Sequence, residues 1–319
     1  MALMQKGRQQ LLAFGSLAAL VMVFGFLRPD TFLTTENLIG ILQATTVTGV
    51  LGIAATFVIV TSGIDLSIGV LMTFTAVMAG LFLARLGWPL SVGIPATLLM
   101  GAAAGCTSGL VITRLRVAPF IATLGMMMVL KGLSLIITGA RPIYFSEVEG
   151  YEDISTGSML GQWLPGLPVP NGVVIYLLVA LVASLLLNRT ALGRYAQALG
   201  SNEEAVRLSG IDVGRWKVII YALGGGVCAI AGLLGSSRLN SAQPALGQGY
   251  ELEAISAVVI GGTSLAGGSG TILGSVIGAF IMSVLVNGLR IMSVADEWQL
   301  LLTGIIIIIA VYVDRLRQT

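Results

Sequence analysis

The sequence predicts an all-α protein that crosses a membrane many times. Three observations carry this. Hydrophobic residues make up 56% of the 319 positions. Only 10% of the chain is charged, against about 25% in a typical soluble domain. The apolar residues also come in blocks of about 17–23, the length of a helix crossing a hydrocarbon core. Glycine is abundant, at 42 residues, and small residues let membrane helices approach backbone to backbone.

About ten spans are expected, at 11–27, 38–60, 67–84, 90–112, 119–138, 172–188, 218–236, 252–266, 271–290 and 297–313. Lys6 and Arg8 before the run Leu11–Leu27 give the start a signal-peptide look. The run is long for that role, and no A-x-A-like site precedes Arg28-Pro29-Asp30, so a retained first helix is expected. The eighth block is short and rich in β-branched residues, which suits a tilted or broken helix. Stretches 61–70 and 261–270 read as turns or as broken helices dipping into the membrane.

Orientation follows from the bias of Lys and Arg towards cytoplasmic loops. With the amino terminus inside, Arg114 and Arg116 fall inside, as do Arg189, Arg194, Arg207, Arg215 and Lys217 of the 189–217 loop, and Arg315 and Arg317. The opposite side receives Arg28, Arg85, Arg141 and Arg238 singly. Both termini are therefore expected in the cytoplasm, with residues 1–319 forming one transmembrane domain.

Two loops stand out. The outer one, about 139–171, carries Glu147, Glu149, Glu152, Asp153, Trp163 and the prolines 142, 165, 168 and 170. Its prolines and glycines oppose a long helix, leaving a solvated connector or a docking surface for an external partner. In the inner loop, Ser201 or Asn202 can cap a helix whose first turn holds Glu203 and Glu204. Gly210 supplies the stop. A short cytoplasmic helix over about 202–209 follows.

Several function classes are excluded or disfavoured. A net charge of +2 implies no nucleic-acid partner. Histidine is absent, which removes the commonest metal ligand and general base; no cofactor or metal site is expected. Cys106 and Cys228 sit in apolar blocks without C-x-x-C spacing and read as small buried hydrophobes. The pairs Glu203–Glu204 and Asp296–Glu297 read as helix-end carboxylates. There is no phosphate-binding G-x-x-x-x-G-K loop followed by Ser or Thr. GGTSLAGGSG at 261–270 lacks the lysine and reads as a turn or tight crossing. Ionisable groups inside apolar blocks are few: Asp65, Lys131 and Arg290. At a span centre such a charge costs about 2.5–3.5 kcal/mol on insertion scales, so Lys131 either lines a cavity or snorkels to the interface. Asp65, among Thr61, Ser62, Gly63 and Ser67, caps the third span or lies on a solute path. No carboxylate relay runs across several spans.

The stretches TSGIDLSIG (61–69), APFIATLGMMMVLKGLS (118–134), ALGRYAQALGSNEEAVRLSGIDV (191–213) and SSRLNSAQPALGQGYELEAISAVVIGGTSLAGGSG (236–270) closely resemble the permeases of bacterial sugar importers of the ATP-binding-cassette class. The ribose, xylose, arabinose and galactose types are the nearest, the ribose type above all, and the resemblance runs from about residue 30 to 315. It implies an inner-membrane homodimer with the pathway at the dimer interface. It further implies a cytoplasmic ATPase subunit with two nucleotide-binding domains and a periplasmic sugar-binding protein. The segment Asn202, Glu203, Glu204, Ala205, Arg207, Leu208, Ser209 and Gly210 matches the family's coupling region. ATP binding would close the ATPase, displace the coupling helices and rock the permease between outward- and inward-open states.

A neutral sugar would meet short polar side chains; Thr61, Ser62, Ser67 and Asn287, with Asp65 on its second reading, are the path candidates. Related permeases also serve a signalling autoinducer and some nucleosides, so the motifs leave the solute open. The competing reading is a secondary transporter driven by an ion gradient. A membrane scaffold without transport is a third.

Overall fold

The computed structural model describes residues 2–163 and 169–318; Pro165 and Pro168 of the outer loop lie outside the described residues. The chain begins with α1 (Ala2–Leu27), α2 (Pro29–Phe32) and α3 (Thr35–Val60). Thr34 caps α3, its hydroxyl accepting from the Asn37 amide at 3.3 Å and satisfying one of the free donors of the first turn. Next come α4 (Ile68–Ala79), which widens into a π-turn over Gly80–Arg85, then α5 (Leu90–Arg114) and α6 (Pro119–Thr138). A short strand β1 (Ile143–Tyr144) and α7 (Met159–Trp163) precede α8 (Asn171–Arg189), α9 (Ala191–Ser201) and α10 (Glu203–Leu208). The chain then forms α11 (Val213–Leu239), β2 (Ser241–Ala242), α12 (Tyr250–Ile260), α13 (Ile272–Ile291) and α14 (Asp296–Gln318).

Among the described residues, 7 helices are long and apolar enough to cross a membrane: α3, α4 with its extension, α5, α6, α8, α11 and α13. Leu11–Leu27 of α1 is a shorter apolar stretch. The eighth expected span, drawn at 252–266, is instead an 11-residue helix that ends at Ile260. Gly261 and Gly262 turn the chain there, the latter at φ +89°, a conformation that suits glycine and breaks a helix.

From Thr45 to Val60 α3 is buried on every side, and so is all of α4. A helix apolar all round sits at the centre of a bundle, and these two form the centre here with α11. The outer helices α5, α6 and α8 leave Leu99, Ile121, Ile136 and Leu181 exposed, as a lipid-facing surface requires. Glycine sets the closest approaches. A Cβ added at Gly101 of α5 would stand 2.5 Å from the Gly225 carbonyl oxygen of α11, and one at Gly105 would stand 2.1 Å from that of Tyr221. The pairing runs in opposite senses along the two helices, so α5 and α11 are antiparallel with their backbones in contact. Likewise Gly224 of α11 faces Ala54 and Val58 of α3, and Gly235 faces Val47. Hence α11 is antiparallel to α3 as well.

The sequence of long, short, long and long helices therefore occurs twice, as α3–α6 and as α11–α14, with the second set inverted. Inverted repeats of this kind recur in transport proteins. In both sets a non-helical lead-in precedes the short helix, 61–67 before α4 and 240–249 before α12. The second lead-in packs on α4, just beyond the first. A Cβ on Gly69 would stand 2.2 Å from the Gly247 carbonyl oxygen, and Thr73 donates to the carbonyl of Leu246 at 2.5 Å.

The outer loop is anchored at one end. Ile143 pairs with Ala242 and Tyr144 with Ser241 in an antiparallel pair. The buried Tyr151 hydroxyl lies 2.6 Å from Ser236 Oγ, and Ser237 donates to the Tyr151 carbonyl at 2.7 Å. Glu147, Glu149, Glu152 and Asp153 remain exposed.

One helix departs from expectation altogether. Residues 191–201, which their polar character assigns to a loop, form α9. Gly193, Ala196 and Leu199 are its buried positions, three apart, and Leu192 and Ala198 pack partly buried beside them, so this face holds the helix while Arg194 turns outward.

Candidate translocation path and coupling element

An open cavity of about 550 Å³ lies between α3, α11, α12 and α13, with Met72 of α4 in its wall. Its polar lining is supplied by Thr48, Arg238, Tyr250, Glu253, Ser283, Asn287 and Arg290. Thr48 points its hydroxyl at Glu253 Oε2, 3.5 Å away. Asn287 donates from Nδ2 to Asn37 Oδ1 at 2.8 Å, while its own Oδ1 is buried without a partner. An unmatched acceptor in a polar cavity is a place for a donor from water or solute. Of the expected path residues, Asn287 alone lines this cavity.

Thr61, Ser62, Asp65 and Ser67 lie together elsewhere, in the lead-in to α4. Asp65 is buried, and its Oδ1 accepts from the Ser67 amide at 2.8 Å and the Ser67 hydroxyl at 2.6 Å. These are the contacts of a turn-closing carboxylate at a helix start. Thr61 donates to the Val58 carbonyl at 2.7 Å, inside its own helix end. Thr123 of α6 fastens the turn, accepting from the Leu66 amide and donating to the Ile64 carbonyl, both at 3.2 Å.

Ser62 ties three segments together. It stands at φ +61°, an uncommon setting for a residue with a side chain. From there its hydroxyl reaches the Gly200 carbonyl of α9 at 3.0 Å and the Ala266 carbonyl at 2.6 Å. The Gly268 amide donates to the Val60 carbonyl at 2.9 Å. The glycine-rich stretch 261–270 is thus a turn, docked on the end of α3 and the end of α9.

Directly after α9 comes α10. Asn202 is its N-cap, accepting from the Ala205 amide at 3.0 Å, and Glu203 and Glu204 occupy the first turn, where the helix dipole favours them. Ser209 ends it, and Gly210 leaves at φ +81°. Val206 is buried while Leu208 is 79% exposed, so one side of α10 holds to the protein and the other is bare. Glu204 is ion-paired with Arg207, and Glu203 receives Lys217 at 2.6 Å. The hydrogen bond from Arg207 holds the Glu204 carboxyl below the usual range.

Residues 37–311 match the family model described as the branched-chain amino acid transport system permease component. The chain belongs to this permease family. It is 42% identical to the ribose import permease protein RbsC of Escherichia coli K12, over 95% of this chain and 92% of the relative. The ribose import permease of Bacillus subtilis is 41% identical, over 96% and 93%. The xylose transport system permease protein XylH of Escherichia coli K12 is 34% identical, over 96% and 91%. No solved structure matches it. The permease is a multi-pass membrane protein, with the apolar helices described above.

Sequence reasoning missed Arg238, Tyr250 and Glu253 as lining residues of the permease cavity. The signal was available in YELEAISAVVI, where carboxylates at 251 and 253 interrupt an apolar block. Glu251 proves to be buried and accepts from the Gly249 amide at 3.1 and 3.0 Å with its two oxygens. Lys131 neither lines the cavity nor ends at a helix terminus; it donates to Gln248 Oε1 at 2.8 Å.

Proposed function

We propose that this permease is the transmembrane subunit of an ATP-driven importer that carries a monosaccharide across the bacterial inner membrane. The relatives named for ribose, xylose and fructose supply the solute class. The chain acts as a single unit of ten crossings with both termini in the cytoplasm: α1, α12 and α14 complete the count, and the Lys and Arg bias sets the orientation. It pairs with a second copy of itself. A periplasmic sugar-binding protein delivers the solute, and a cytoplasmic ATPase subunit with two nucleotide-binding domains supplies the energy. The permease itself is a transport component, not an enzyme.

The observation that carries the reading is α10, a capped helix with one face bare, joined through α9 to the Ser62 turn. Asn202, Glu203, Glu204, Ala205, Arg207, Leu208, Ser209 and Gly210 form the coupling surface for the ATPase. Displacing α10 pulls on Gly200, and Ser62 passes that displacement to the ends of α3 and the 261–270 turn. Thr61, Ser62, Asp65 and Ser67 then belong to the inner closure of the path, with Asn287 at its outer cavity. Coupling of this sort requires the open and closed forms to differ in their affinity for nucleotide-bound ATPase.

The test is uptake in cells with Glu203, Glu204 and Arg207 replaced by alanine together. The variant should reach the membrane folded and lose ATP-dependent uptake and ATPase co-purification. Fully coupled uptake by a properly folded variant would sink the coupling assignment. Solute movement by the purified permease alone in liposomes, under a proton or sodium gradient, would favour the secondary-transporter reading instead.

A further inference from the structure

We infer that Lys131 and Gln248 form a solute-contacting pair at the mid-depth of the membrane, a set of hydrogen-bond donors for a polyhydroxylated solute. The inference rests on the importer reading and adds a specific contact to it.

Position comes first. Lys131 lies roughly 18 Å along α6 from Pro119 and about 10 Å short of Thr138 at 1.5 Å per residue, so its stem starts near the middle of the span. Snorkelling would take the ammonium to a helix end, yet Lys131 Nζ is held at 2.8 Å by Gln248 Oε1. The lysine is half-buried and Gln248 exposed. The hydrogen bond between them is itself exposed, so the head group borders space that no other part of the chain fills.

The partner's backbone gives a second, independent argument. Gln248 belongs to the non-helical lead-in to α12, which contains Gly247 at φ +96° and Gly249 at φ +99°. That lead-in packs on Gly69 and Thr73 of α4, within the bundle and away from its ends. Gln243, Ala245, Leu246 and Gln248 in it are exposed. Irregular backbone at membrane depth is tolerated only where protein covers it or water fills a cavity beside it. A mid-span ammonium carries the same requirement. Both features fall on one spot, so that spot is wet. Leu246 and Tyr250, on either side of Gln248, line the cavity of about 550 Å³. The pair therefore stands across one strand of backbone from the cavity already described.

The chemistry selects the occupant. An ammonium has three N–H donors and the glutamine amide two; one of the five is engaged, between the two residues themselves. The remaining donors suit the hydroxyl oxygens of a sugar. Since Lys131 holds the Gln248 carbonyl, the amide's N–H groups are turned away from it, towards whatever fills the space.

The experiment uses single cysteines at positions 131 and 248 in a background with Cys106→Ala and Cys228→Ala, in cells that carry the native complex. A membrane-impermeant maleimide added outside should label both positions, and ribose, xylose or fructose at about ten times its dissociation constant should slow labelling about tenfold for the sugar carried, because occupied sites are shielded. In parallel, Lys131→Met should raise the uptake KM about tenfold with little change in kcat, and Lys131→Arg should restore most of it. Labelling that no transported sugar slows, or an unchanged KM in a folded Lys131→Met variant, overturns the pair alone. Cysteines that react only with a lipid-soluble reagent overturn it as well. Failure of the unsubstituted complex to take up any of the three sugars is a different result, and it overturns the importer reading beneath the proposal.

Discussion

The lead-ins to the short helices, 61–67 and 240–249, occupy matching places in the inverted repeat, yet they are built oppositely. The first is closed by side chains: Asp65 holds Ser67, Thr123 holds both Ile64 and Leu66, and Ser62 holds Gly200 and Ala266. The second is shaped by glycines at positive φ and leaves Gln243, Ala245, Leu246 and Gln248 uncovered. One architecture thus yields a sealed segment and an open one. The difference teaches that the repeat supplies the shape, whereas local side chains decide which segment is sealed and which is left uncovered.

The largest test strikes where the second lead-in touches α4. Gly247→Val would place a branched side chain at φ +96° and within 2.2 Å of Thr73 Oγ1. Strain and overlap together should cost more than about 3 kcal/mol, and the variant should fail to elute as a folded species in detergent. A folded Gly247→Val permease would mean that the two segments are not in contact.

Asp65→Ala comes next. It leaves the Ser67 amide and hydroxyl without their buried acceptor, a loss of about 1–3 kcal/mol, read as a lower Tm of the purified permease. Should the sealed segment matter only for packing, uptake would survive in proportion to folded protein.

Ser62→Ala removes both cross-segment bonds at an exposed site, and the loss in stability should be about 0.5–1.5 kcal/mol. Its larger effect should fall on the ratio of ATP hydrolysed to sugar imported, which rises if Ser62 links α9 to the inner turn. Unchanged stoichiometry would confine the residue to local support.

Smallest is the effect of acid on α10. Because the Glu204 carboxyl is held low by the Arg207 hydrogen bond, its contribution is present above the ordinary carboxylate range and is lost only as pH falls through the depressed value. Lowering the pH from neutral to about 5 should therefore leave α10 intact, as judged by protease protection, because both values lie below that pH. Melting of α10 within that interval would place its stability in some other group.

Much of the fold was legible because membrane helices announce themselves by length and composition. Blocks such as 38–60 and 119–138 map onto α3 and α6 with small shifts at the ends. The helix after Asn202 was legible for a different reason, since a cap residue followed by two carboxylates is a local signal that needs no tertiary context. α9 was not, because its polar residues outnumber its narrow buried stripe. The end of α12 was legible in part: GGTSLAGGSG reads as a turn or a broken helix, although the eighth span was drawn on to 266 and α12 stops at Ile260. The meeting of Gly69 with Gly247 joins positions far apart in sequence, and no local pattern encodes it. Arg238 and Arg290 illustrate the same limit: each is a lone charge at the end of a span, and only the fold brings both to one cavity.

The backbone contact between α5 and α11 has a mechanical consequence. Helices joined through Gly101, Gly105 and Gly225, with Ala229 as the side chain closest to Gly101 across the contact, behave as a single beam. One of the pair comes from each repeat. The beam consequently clamps the two repeats together and forbids a scissor motion of one against the other inside a chain. Motion inside the chain is then left to short levers such as α12, which runs between Gly249 and Gly261.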